Sequence, residues 1–174
     1  MKIRSLILTL AVVVPWATSA NAAKPVRGCT SPESHQFDFW VGHWNVYPKS
    51  HPAKHVANSL IEKLYSGCGV RENWMPLKHS GGGSLNAYDP ITKHWRQFWI
   101  GSDGSSALFT GGLKGKAMVI QGVWPQPGHP NQLWRITYTP LADGSVEQAG
   151  EASNDGGKTW KKGFDLIYRK AKKM

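Results

Sequence analysis

Acidic residues, cysteines and long apolar runs are all scarce in this chain. Asp and Glu total 11 against 21 Lys and Arg, a formal charge of +10 over 174 residues. There are two cysteines, Cys29 and Cys68, with no C-x-x-C pair, which argues against a thiol metal centre or dithiol redox site. Beyond Val14 no apolar stretch approaches the roughly 20 residues that a bilayer-crossing helix needs, so no later segment is expected to insert in a membrane. No H-E-x-x-H pair, nucleotide-binding loop or Ser/His/Asp order is present, and no nucleic-acid-binding motif. Neither repeat, linker nor low-complexity block interrupts the sequence, which points to one domain.

The N-terminus supplies a context. Lys2 and Arg4 precede an apolar run from about Leu6 to Val14, then Pro15 and small residues ending in Ala20-Asn21-Ala22. That is an n-region, an h-region and an A-x-A cleavage site. Residues 1–22 are expected to be a signal peptide and 23–174 one mature domain, periplasmic or secreted. Cys29 follows Val26-Arg27-Gly28, which is no lipobox, so no lipid anchor is expected. Losing Lys2 and Arg4 lowers the charge by two and leaves the protein basic, partly through the tail "RKAKKM", a solvated end. In an oxidising compartment two cysteines most simply pair. The bridge would close a loop of about 40 residues, worth on the order of 4 kcal/mol in the chain-entropy account.

Past residue 40 the chain alternates short strand-like segments with turn chemistry. The segments are roughly 43–48, 55–65, 68–75, 82–88, 94–101, 105–112, 116–124, 131–140, 145–153 and 159–169. Between them stand "SGGG", "YDPITK", "GSDGS", "GGLKG", "PQPGHP", "LADGS" and "NDGGK", the Gly, Asp-Gly and Pro-Gly signals of hairpins. Period two is explicit where Trp95, Gln97 and Trp99 share a face, as do Trp134, Ile136 and Tyr138. A helical period is absent except for a short turn near "SPESHQFDFW". Ten short antiparallel strands escape exposed edges by closing on themselves. The expected fold is all-β, an up-and-down barrel of about ten strands with a short N-terminal helical turn.

"FDFWVGHWNV" carries Gly42-His43-Trp44 at the start of the first strand, and "FDLIYRK" ends the last strand with Arg169. The pairing resembles the signature of the calycins, which include lipocalins, fatty-acid-binding proteins and nitrobindin-like barrels. The resemblance implies that Trp44 plugs one barrel end, Gly42 admits a close chain approach and Arg169 stacks on the indole. More widely, "HQFDFWVGHWNV", "SGCGVRENW", "SLNAYDPITKHWRQFW", "TYTPLADGSVEQ" and "SNDGGKTWKKGFDLIYRK" resemble a family of exported, lipocalin-like bacterial proteins of unknown function. That family implies a barrel, a Cys29–Cys68 bridge and no established activity. The His-rich "SHPAKHVANS" departs from the small, glycine-containing turn expected there.

"SNDGGKTW", residues 153–160, fits the Asp-box of sialidase propeller blades. Those propellers are several times longer and repeat the box, whereas this chain has one. Within a single hairpin Asp155 can bond local backbone N–H groups while Gly156 and Gly157 supply unusual φ. The box is therefore expected to be a turn. The seven histidines offer no metal or haem site: His51 and His55 are four apart but flank Pro52, His79 and His129 fall in turns, and His94 faces away from Trp95. No cofactor or metal is expected.

What remains is a set of polar residues in apolar strands. Glu72 shares a face with Val70 and Trp74, and Gln97 lies between Trp95 and Trp99. Tyr88, Arg135, Gln148 and Glu151 fall in other strand centres. Polar groups walled by aromatics in a small barrel are typical of a ligand cavity. The expected site has Trp74, Tyr88, Trp95 and Trp99 as walls and Glu72, Gln97 and Arg135 as anchors for a small, mainly apolar or aromatic molecule. Two alternatives stand beside it. One is a cofactor-independent enzyme with Glu72 or Glu151 as general base; the other is a structural envelope protein whose barrel is filled by its own side chains. The sequence fixes no oligomeric state.

Overall fold

The computed structural model describes residues 29–171; the expected signal peptide lies outside them. Ten strands form the molecule: β1 (Gly42–Pro48), β2 (Ala57–Leu64), β3 (Gly69–Pro76), β4 (Gly82–Asp89), β5 (His94–Gly101), β6 (Ser106–Lys114), β7 (Ala117–Val123), β8 (Leu133–Pro140), β9 (Val146–Ser153) and β10 (Lys161–Lys170). Each pairs antiparallel with its neighbours in sequence, and β1 also pairs with β10, which closes the barrel. The all-β, up-and-down, ten-stranded reading is what the chain adopts. Strand ends shift by one or two residues for local reasons. Tyr65 and Ser66 adopt positive φ of 52° and 55°, which stops β2 at Leu64. Trp160 belongs to the turn before β10.

Alternation decides what fills the tube. Trp44 and Val46, Val70 and Glu72, Ser84 and Asn86, Trp95 and Gln97, Tyr138, Gln148 and Tyr168 are buried, while their strand neighbours lie closer to solvent. One apolar row breaks the polar exterior: Leu85, Phe98 and Leu108 sit in register across β4, β5 and β6, exposed on the outer wall.

One end is stoppered by residues 29–41. Two 3-10 turns, Pro32–His35 and Asp38–Trp40, carry Phe37 and Trp40 into the barrel. Phe37 stacks on Trp40 at 4.9 Å and meets Trp95 and Tyr138 edge-on. Trp44 lies fully buried beneath, its indole N–H donating to the Trp40 carbonyl at 2.8 Å. Gly42 takes a φ of +149°, which favours glycine, with the Trp44 ring beside it. The Cys29–Cys68 disulfide, Cα atoms 4.8 Å apart, anchors this arm to the turn before β3. Lys63 reinforces it by binding Asp38 and the Ser34 carbonyl.

The capping role expected of Arg169 is corrected. Arg169 is paired with Asn45, one residue out of phase with Trp44, so it points outward. Its guanidinium lies 4.7 Å from the Tyr47 ring centre and donates to the Pro52 carbonyl. The β1–β2 loop, which holds the His-rich departure, is thereby fastened to the outer wall.

The Asp-box is a turn, as expected. Asp155 accepts from the Thr159 N–H and hydroxyl and from the Ser153 hydroxyl. These bonds hold its carboxyl well below the usual carboxylate range, the Thr159 hydroxyl being the largest cause. Gly156 and Gly157 take φ of 72° and 89°, and the Trp160 indole donates to the Gly157 carbonyl.

Candidate functional site

At the end opposite the stopper the barrel is not filled. A cavity of about 260 Å³ runs inward between Trp74, Trp99, Trp124, Phe109 and Phe164, and reaches Glu72 and Tyr168. Outside it lies a wider cleft of about 710 Å³. The cleft shares Trp74, Trp99 and Trp124 with the cavity and is rimmed by the β3–β4 and β5–β6 loops. An engineered apolar cavity of about 150 Å³ holds benzene, so the inner chamber has room for a body of one or two rings.

Backbone choices make this space. Gly150 faces inward on β9, and a Cβ there would stand 2.3 Å from the Phe164 ring. Across the register shift between Lys162 and Phe164, Gly163 leaves room for Trp134, which stacks on Phe164 at 5.9 Å. Gly82 likewise lies against the Trp99 ring. The indole N–H groups of Trp99 and Trp124, like that of Trp40 at the stoppered end, are buried and have no hydrogen-bond partner. Two donors at the mouth therefore stand unsatisfied, a costly state for buried polar groups.

The floor is a connected polar layer. Glu72 is 4% exposed and receives the Ser84 hydroxyl at 3.2 Å and the Ser59 hydroxyl at 3.4 Å. Asn86 donates to Ser84 and to the Val70 carbonyl. Gln97 donates to Asn86 at 2.8 Å and to the Tyr138 oxygen at 3.1 Å. The Tyr168 hydroxyl donates to Gln148 at 2.6 Å and stands 3.4 Å from Glu72. Burial pushes the Glu72 carboxyl up to about 7, against the pull of the Ser84, Tyr168 and Ser59 hydroxyls. Burial, and then the Glu72 charge, also raise Tyr138 and Tyr168 above the usual tyrosine range, so both remain neutral O–H groups.

The expected site residues divide four ways. Glu72, Trp74 and Trp99 line the cavity. Gln97 lies in the floor, supporting Tyr138. Trp95 and Tyr88 belong to the stoppered end: Trp95 packs on Phe37 and donates to Gln36, and Tyr88 sits 6.2 Å from Trp95. Arg135 is outside the barrel, because it alternates with the inward Trp134 and Ile136. There it binds Glu151 through two N–H groups and lies 4.2 Å over Trp160. Glu151 shares that outer face, so it forms no carboxylate pair with Glu72. The cavity is also lined by residues outside the expected site, among them Phe109, Trp124, Phe164, Leu166 and Tyr168. Strand parity carried a signal for Phe109 and Tyr168. Trp124 follows the end of β7, and Phe164 follows the register shift, where parity fails.

Fold and site together define a closed ten-stranded antiparallel barrel with an internal aromatic chamber over a polar floor. No protein-family model matches the chain, and no curated protein matches it significantly. Among the described residues no group of His, Cys, Asp and Glu is arranged to hold a metal ion, and no helix is long and apolar enough to cross a membrane.

Proposed function

We propose that this protein is an exported calycin-type barrel that binds a small, mainly apolar or aromatic molecule in its chamber, kin to the lipocalin-like family whose motifs it resembles. The chamber itself carries the reading: aromatic side chains leave space open at one end of a barrel whose other end they fill. Such walls supply the hydrophobic contact, and a few converging polar atoms at the base orient the guest. The disulfide supports an oxidising compartment, periplasmic or extracellular.

The test is native mass spectrometry of protein purified from its own compartment. A retained molecule of one or two rings, lost on Trp99→Ala, is the expected result. A clean apo mass, together with no binding of aromatic probes, would leave the structural-envelope alternative standing.

One observation favours a second reading: a carboxyl that titrates near neutrality at the base of a chamber suits a general acid or base. With Glu151 outside, that reading rests on Glu72 alone. Turnover of a bound molecule, abolished by Glu72→Gln with binding retained, would establish it.

A further inference from the structure

We propose that the molecule bound in the chamber is a protonated amine on an apolar or aromatic body, and that Glu72 is its counter-ion. The inference deepens the binding reading and rests on it. Glu72 is the sole carboxyl lining the cavity, and no Lys, Arg or His lines it. None of the ion pairs among the described residues includes it.

Its hydrogen bonds are also thin. The three hydroxyls around it stand at 3.2–3.4 Å, whereas O–H groups donating to a carboxylate settle at about 2.5–2.7 Å. The phenol among them, Tyr168, is committed to Gln148 at 2.6 Å. A carboxyl deep in a barrel with neither a cation nor a close donor has unused capacity, and buried charges are normally paired. An ammonium group supplies both the charge and several N–H donors.

The walls suit the same guest. Indole faces attract cations more strongly than other aromatic rings do, and Trp74, Trp99 and Trp124 line the way in. An anionic guest would meet Glu72 with no positive group at the floor. Lys78, His79 and Asp103 line the outer cleft, but none of them lines the inner chamber, where Glu72 is the sole charged side chain.

Binding should then be coupled to a proton. Ser59 from β2, Ser84 from β4 and Tyr168 from β10 surround Glu72 directly, and Asn86, Gln97, Tyr138 and Gln148 complete the layer through bonds to one another and to Ser84 and Tyr168. None carries a charge near neutrality. Glu72, raised to about 7 by burial, is part protonated at that pH. An incoming ammonium favours the carboxylate and expels the proton.

Isothermal titration of the mature protein with 2-phenylethylamine and its neutral counterpart 2-phenylethanol tests this. At pH 8 the amine should bind about tenfold tighter or more, and Glu72→Gln should bring the two within about threefold. For the wild type, titrations at pH 7 in two buffers of different ionisation enthalpy should show release of about half a proton with the amine, falling towards zero by pH 8.5. This readout decides the matter even if the variant does not fold. Equal affinity for the alcohol without proton release overturns the inference and leaves the chamber reading intact. Binding of neither probe overturns both.

Discussion

The two ends of this barrel are built from the same kinds of residue and behave differently. At the stoppered end Phe37 stacks on Trp40 and meets Trp95 edge-on, Trp44 meets Tyr168 edge-on, and all of them are buried in the core. At the open end Trp74, Trp99, Trp124 and Phe164 stand around a space. The difference comes from the arm. Residues 29–41 enter one end and a disulfide holds them there, whereas only hairpin loops border the other. Aromatic content alone therefore does not mark a binding site; what matters is whether the chain supplies its own stopper.

The comparison predicts that stability resides at one end and binding at the other. Trp40→Ala should cost about 3–5 kcal/mol of unfolding free energy, as for large core truncations, while Trp99→Ala should cost less than half as much and lose the guest. Urea denaturation of both variants checks this, and equal costs would break the division. Replacing Cys29 and Cys68 together by serine should cost about 2–5 kcal/mol, with a lower denaturation midpoint and an arm that exchanges amide hydrogen faster.

Glu72 gives the next effect, and its sign is fixed. Its carboxyl titrates near 7 when folded and near 4.5 when unfolded, so between those values the folded state holds the extra proton. Stability should fall as pH rises from 4.5 to 7, by up to about 3 kcal/mol above 7. Glu72→Gln should lose that part of the pH dependence. The difference between the two proteins, measured from pH 5 to 8, removes the histidine contributions common to both.

Much of this was legible in the sequence because period-two alternation and hairpin glycines are local signals, and ten of them in series leave closure as the simplest escape from exposed edges. Glu72, Trp74 and Trp99 followed from parity. Arg135 was misplaced despite parity, since it lies between Trp134 and Ile136, and alternation already turns it outward. Arg169 failed for a different reason: Trp44 faces inward, and the register of β10 on β1 sets Arg169 opposite Asn45. Register between strands far apart in sequence is set by the closed sheet and has no local signature. Trp95 was assigned to the wrong end because parity gives the face of a residue but not its depth along the barrel.

The smallest effect sharpens the picture of the chamber. In Gly150→Ala the new methyl would meet Phe164 and drive its ring into the cavity, lowering probe affinity more than stability. A variant with unchanged affinity would show that Phe164 moves outward instead.

Indole N–H resonances, recorded while 2-phenylethylamine is added to saturation, test the asymmetry between the two ends most directly. The Trp99 and Trp124 signals should shift while those of Trp40, Trp44 and Trp95 stay in place. Shifts confined to the stoppered-end indoles, or spread evenly over all of them, would contradict it.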